Sequence, residues 1–249
     1  MKIIQTRFLK NILTSAGLVL IFFNMSGAQS RPIELNHGDS LFQARQYTQS
    51  FELYSILLKE KQQHSPAMLL KMAYIQEGLG HISMSLYYLN LYFMASHDEQ
   101  ALAKMEEIAS KNRLEGYQPS DVSRVLTKLQ QYSFHITSLL LSVSVCLFAL
   151  IFYQKVRQHK KPLTPAFILV FFLALLFAYT HFSEYIKLGI VSEPFTYLMS
   201  GPSAGSSVIE VIDEGHQLKI LGKTDVWIKV NWKDKEVFIK ESSLLPVRL

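Results

Sequence analysis

Residues 134–182 read FHITSLLLSVSVCLFALIFY, then QKVRQHKKP, then LTPAFILVFFLALLFAYTHF. Each apolar run, Phe134 to Tyr153 and Leu163 to Phe182, is 20 residues long without an acidic or basic side chain. At a helical rise of about 1.5 Å per residue, each is long enough to cross roughly 30 Å of hydrocarbon. A crossing segment must satisfy its own backbone hydrogen bonds, so both runs are expected to be helices. The sequence therefore predicts an antiparallel membrane hairpin, with spans at 133–153 and 163–182 and a loop at 154–162.

That loop carries Lys155, Arg157, Lys160 and Lys161 and no carboxylate. Short cationic loops stay on the cytoplasmic side, which places both flanking segments outside. The N-terminus agrees. Lys2, Arg7 and Lys10 precede the apolar stretch Ile12 to Phe23, and Ser26-Gly27-Ala28 supplies small residues for cleavage, so residues 1–28 read as a signal peptide. The expected localisation is a bacterial inner membrane with both folded domains in the periplasm.

The net charge of +5 has the same origin. Three basic residues in 1–28 and four in 154–161 leave the rest of the chain at −2. Basicity here is a topology signal, and no nucleic-acid partner is expected. The one cysteine, Cys146, sits in the first span, so no intramolecular disulfide can form. The remainder provides two small domains of about 100 and 55 residues that must hold by packing.

Residues 30–118 show helical spacing with a repeat. Gly38 to Pro66 reads as helix, turn, helix, with Leu41, Phe42, Phe51, Tyr54, Leu57 and Leu58 apolar. Residues 69–94 repeat the plan around Gly78-Leu79-Gly80. Tyr47 aligns with Ile82, Ser50 with Ser85 and Tyr54 with Leu89, a period of 35 residues. Asp98 to Arg113 supplies a further helix, with Ala101, Leu102, Met105, Ile108 and Ala109 on one stripe and Asp98 and Glu99 at its start. Residues 119–132, PSDVSRVLTKLQQY, are expected to form a juxtamembrane helix running into the first span.

Past the second span the period becomes alternating. Residues 183–193 read as a linker. In 194–249 the segments VIEVI, HQLKIL, VWIKVNW and VFIK are separated by Gly-, Asp- and Ser-containing turns, which predicts a small all-β barrel of about five strands.

Two resemblances follow from these residues. The 35-residue pattern, with small residues at Gly38, Ala73, Ser50 and Ser85, resembles tetratricopeptide repeats, whose period is about 34 residues. That likeness implies a concave surface for a protein segment. The C-terminal block resembles a bacterial SH3 domain through Ser200-Gly201-Pro202-Ser203, Val208-Ile209, Gly215 with Leu218, Ile220-Leu221-Gly222, Trp227-Ile228-Lys229-Val230, Val237-Phe238-Ile239 and Leu244. It implies a module that binds peptides or cell-wall stem peptides. Glu236 and Val237 stand where that family often has glycine. Trp227 and Trp232 are five apart, so on a regular strand they face opposite ways. Trp227 is expected in the core and Trp232 outside, and the pair is the candidate ligand-binding site. The charges of 194–249 balance, seven basic against seven acidic, and give no pull toward an anionic polymer.

The order of parts is similar to BatE-type proteins of the Bat aerotolerance operon of Bacteroidetes-like bacteria. This resemblance implies a non-enzymatic membrane scaffold whose partners are envelope proteins with von Willebrand A domains; the other reading is a peptidoglycan-binding anchor or sensor. No catalytic residue, cofactor or metal is expected, because there is no Gly-rich phosphate loop and the histidines lack ligand spacing. His135 and His181, with Glu184 nearby, read as polar ends of the spans beside Tyr132 and Tyr179.

Overall fold

The computed structural model describes residues 33–118, 132–157, 163–182 and 187–249. The expected signal peptide, nearly all of the juxtamembrane helix and half of the basic loop lie outside these residues. The described residues fall into two compact units. One holds the two apolar helices; the other takes chain from both sides of them.

Among the described residues, five helices precede the apolar pair: α1 (Ile33–Gln43), α2 (Tyr47–Lys59), α3 (Pro66–Gly78), α4 (Ile82–Ser96) and α5 (Glu99–Lys111). The step of 35 is visible in the joints, since α2 starts after Gln46 and α4 after His81. Its small residues sit where helices approach. Gly38 is buried, and a Cβ there would lie 2.5 Å from the Tyr54 ring. Ser50 donates from Oγ to the Gly38 carbonyl at 2.9 Å. Tyr54 is fully buried and donates its hydroxyl to Asp39 at 2.6 Å, and Lys71 joins the same carboxylate at 2.6 Å. This node ties α1, α2 and α3 together. Two later helix starts are capped as their sequence dictates: Ser65 accepts from the Met68 N–H with Pro66 in the first turn, and Asp98 accepts from the Gln100 N–H, whereas α4 follows His81 without a side-chain cap. Along α5, Ala101, Met105, Ile108 and Ala109 are buried, as their spacing predicts.

Helices α6 (Ser133–Arg157) and α7 (Leu163–Phe182) lie against each other. Both are long and apolar enough to cross a membrane. Their large side chains point outward, among them Phe148 and Phe152 on α6 and Phe167, Phe171 and Phe177 on α7. Ser144 is buried and returns its hydroxyl to the Leu140 carbonyl at 2.8 Å, so it leaves no unpaired donor in an apolar helix. The helix α6 continues past Tyr153 to Arg157, so the basic stretch begins on helix rather than in a loop.

The C-terminal part is a seven-stranded antiparallel sheet: β1 (Leu188–Val191), β2 (Thr196–Met199), β3 (Val208–Ile212), β4 (Gln217–Thr224), β5 (Trp227–Trp232), β6 (Lys235–Lys240) and β7 (Leu244–Val247), in the order β3-β2-β6-β5-β4-β1-β7. Val191, Leu198, Ile212, Leu218, Val230, Ile239 and Leu244 come one from each strand and share one core, so the sheet curls around it. The cross-strand pairs Val230 with Val237 and Ile228 with Ile239 fix the register of its centre. The β5–β6 hairpin turns on two residues, Lys233 and Asp234, at φ of 49° and 61°. That is the left-handed pair a two-residue hairpin requires, built here without glycine.

Two expectations about this region are corrected. Residues 188–191, taken as linker, are the first strand of the sheet, and the strands number seven rather than five. The β1 sequence hides its nature because it is buried on both faces. Leu188 and Ile190 face the helices, while Val191 faces the barrel core. The other correction concerns independence. The helices and the β domain are not separate bodies: Ile190 and Val247 belong to the same core cluster as Leu86, Tyr88 and Leu91 of α4.

Candidate functional site

The two tryptophans end β5 and lie on its opposite faces, as their spacing requires. Neither is left open, for Trp227 is 8% exposed and Trp232 5%. It is Trp232, not Trp227, that joins the barrel core, alternating with Ile228 and Val230. Trp232, expected outside, thus lies in the barrel core, while Trp227, expected in the core, is buried but outside that cluster. Trp227 pairs across the strands with Thr224 and Lys240. The structure therefore does not bring the two indoles into one cleft.

What gathers around Trp232 is more informative. Its Nε1–H donates to Glu210 at 2.6 Å, and Lys233 bonds the other oxygen of that carboxylate at 2.8 Å. These two donors, Lys233 first, hold the Glu210 carboxyl below its ordinary range. Lys233 also lies 5.0 Å from the centre of the indole. The His216 imidazole meets Trp232 edge to face at 5.3 Å. Burial lowers the His216 pKa, against the pull of Glu115, Asp213 and Glu210.

Onto this cluster the chain lays residues 114–117, the segment that leaves α5. The Glu115 N–H donates to His216 Nδ1 at 2.9 Å, which requires the neutral ring. The Gln217 N–H donates to the Glu115 carbonyl at 3.0 Å, and the Glu115 carboxylate lies 3.7 Å from Lys233. The Tyr117 hydroxyl donates to the Gly215 carbonyl at 2.7 Å in a buried setting, and burial raises its pKa well above the usual phenol value. Beside this strip, Ser83 donates to Glu214 at 2.8 Å, and Gln217 donates its amide to the Asn90 side chain at 2.9 Å.

Two exposed patches remain. On the β2–β3 hairpin, Tyr197 sits opposite Val211, and Phe195 and Ile209 are also exposed. On the helices, Phe42, Tyr47 and Tyr74 form a triangle with ring centres 5.3 to 6.1 Å apart, and Lys71 lies 5.4 Å from the Phe42 ring. Tyr74 is 57% exposed. Among the described residues no group of three His, Cys, Asp or Glu could hold a metal ion. His135 is exposed and has a partner, whereas the His181 side chain and Glu184 lie outside the described residues.

Residues 195–245 match the bacterial SH3 domain family. The match begins at the end of the β1–β2 loop, so β1 and the end of β7 flank it. No curated protein and no solved structure matches the chain. A bacterial SH3 domain suggests binding of protein or peptidoglycan. The residues at which this SH3 domain meets the helices, Glu115, Gly116, Tyr117, Glu210 and His216, were not foreseen from sequence. The one local signal for them is an aromatic residue two positions after an acidic one, with glycine between, in an otherwise polar connection.

Proposed function

We propose that this chain is a non-enzymatic scaffold of a bacterial inner membrane, whose helical block and SH3 domain stand in the periplasm and hold partner proteins of an envelope complex. The observation that carries this reading is the joint: a helical block and a binding module share one core, so they present their surfaces in a fixed relation. A block resembling tetratricopeptide repeats and an SH3 domain are both suited to holding protein segments, and neither needs catalytic groups. The similarity of the whole layout to BatE-type proteins makes membrane proteins with von Willebrand A domains the expected partners. The partly exposed triangle of Phe42, Tyr47 and Tyr74 and the hairpin surface around Tyr197 are the places for them to rest.

The test is crosslinking in intact membranes, followed by purification through a C-terminal tag and analysis for proteins and for muropeptides. A fixed set of membrane proteins with von Willebrand A domains, reduced by Tyr74→Ala or Tyr197→Ala, is the expected result. Muropeptides without proteins would instead make the chain a peptidoglycan-binding anchor. Point substitutions are needed because deleting the helical block would open the core it shares with the SH3 domain.

A further inference from the structure

We infer that Leu114–Tyr117 is a built-in peptide ligand of the SH3 domain, and that the surface beneath it binds short extended peptides in which an acidic residue, a glycine and a tyrosine follow an apolar one. The inference deepens the reading of the SH3 domain as a binding module and rests on it. Each of the four residues makes the kind of contact by which an extended peptide is recognised, main-chain pairing for affinity and side-chain seats for specificity.

Leu114 packs over Gly215, where a Cβ would come 2.9 Å from the leucine methyl. Glu115 gives its N–H to the His216 ring and accepts one main-chain hydrogen bond, from the Gln217 N–H. Its carboxylate faces Lys233. Gly116 runs so close to the SH3 domain that a Cβ would lie 2.0 Å from the Gln217 carbonyl oxygen, and its φ is 96°. Only glycine fits both conditions. Tyr117 is 9% exposed, with its ring in the shared core and its hydroxyl on the Gly215 carbonyl. The helix α5 has already ended, and Arg113 turns the chain at φ of 56°, so the four residues reach the surface as irregular backbone held by the SH3 domain. Other contacts hold the two parts together without them: Ser83 with Glu214, Asn90 with Gln217, and Ile190 and Val247 in the helical core.

A ligand tethered this way sees its site at an effective concentration of about millimolar. A peptide from outside must therefore compete with the chain's own segment. The test uses the full chain in detergent micelles and a fluorescent peptide of residues 112–118, NRLEGYQ, read by anisotropy. In Gly116→Ala the internal segment can no longer seat, so the variant should bind the peptide about tenfold or more tightly than the unaltered chain, which holds its site filled. A peptide with alanine in place of its glycine should bind neither protein. The inference is overturned if Gly116→Ala, with unchanged circular dichroism, binds no better than the unaltered chain, or if the alanine peptide binds as well. Should Gly116→Ala not fold, Tyr117→Phe removes one anchor without adding an atom; a gain in peptide binding supports the inference and equal binding overturns it. No envelope partner enters this assay, so its failure leaves the scaffold reading standing, and loss of the captured partners would leave the peptide result standing.

Discussion

Acidification should loosen the joint between the helices and the SH3 domain, with His216 setting how much. Its Nδ1 accepts the Glu115 N–H, so protonation would set one N–H against another. Burial beside Trp232 already lowers its pKa, with Lys233 adding to that and the carboxylates of Glu115, Asp213 and Glu210 opposing it. A depressed pKa means the contribution is complete above the ordinary value of about 6.5 and is lost as pH falls below it. The loss cannot exceed about 1.4 kcal/mol for each pH unit. Replacing His216 by Phe keeps a ring against Trp232 but removes both the acceptor and the titration. Glu115 is exposed, so its N–H returns to water and the fixed cost is about 0.5–1.5 kcal/mol. Hydrogen exchange at the Gln217 amide, whose N–H crosses the joint, reads the local opening free energy. At pH 7.5 the unaltered chain should be more protected than His216→Phe by about 1 kcal/mol. By pH 5.5 that advantage should have shrunk. The other histidines and carboxylates are common to both proteins and cancel in the difference. An advantage that stays constant from pH 7.5 to 5.5 would refute the reasoning.

Glycines in the helices divide sharply. Gly38→Ala forces a methyl into the Tyr54 ring and should lower stability by about 1–3 kcal/mol, whereas Gly78→Ala enters open space at the end of α3 and should raise it by up to about 1 kcal/mol, both read by thermal unfolding. Arg45 occupies the left-handed turn position, φ 61°, that Gly80 fills 35 residues later at φ 79°. Arg45→Gly should therefore stabilise by about 0.5–1 kcal/mol, and Asp234→Gly in the β5–β6 turn should act the same way. Tyr117→Phe strands the buried Gly215 carbonyl and should cost about 1–3 kcal/mol in the same unfolding measurement.

The parts of the fold that depend on local period were legible in the sequence. Tyr54 and Leu89, and Ser50 and Ser85, were paired by spacing alone, and all four are buried, while the third pair, Tyr47 and Ile82, is half-buried. The strands β3 to β6 announced themselves by alternation between turn residues. The strand β1 did not, because a strand covered on both faces shows no alternation, and Gly189 in its middle reads as a break. That glycine answers to a distant residue, since a Cβ there would strike Leu244 at 2.7 Å. The placement of the tryptophans was half legible: spacing put them on opposite faces, but which face meets the core depends on the register of β5 with β4 and β6. The joint was illegible for a simpler reason. Glu115 and His216 are 101 residues apart, and Ser83 and Glu214 are 131 apart. Nothing in either stretch alone marks it as half of a contact.

One folded body draws on chain from before α6 and from after α7, and this fixes a parity. Residues 33–118 and 187–249 must end in the same compartment, so the stretch between them can cross a bilayer an even number of times or not at all. A chain with one helix left unthreaded would strand Tyr117 and Gly215 on opposite sides and could not close its core. Completion of the joint is then a proof of correct threading. It cannot come before Val247 is made, because that residue is part of the shared core. Until then, the helical half waits with the face of α4 uncovered. A premature stop anywhere in the final strand would leave that face open to whatever surveys the compartment.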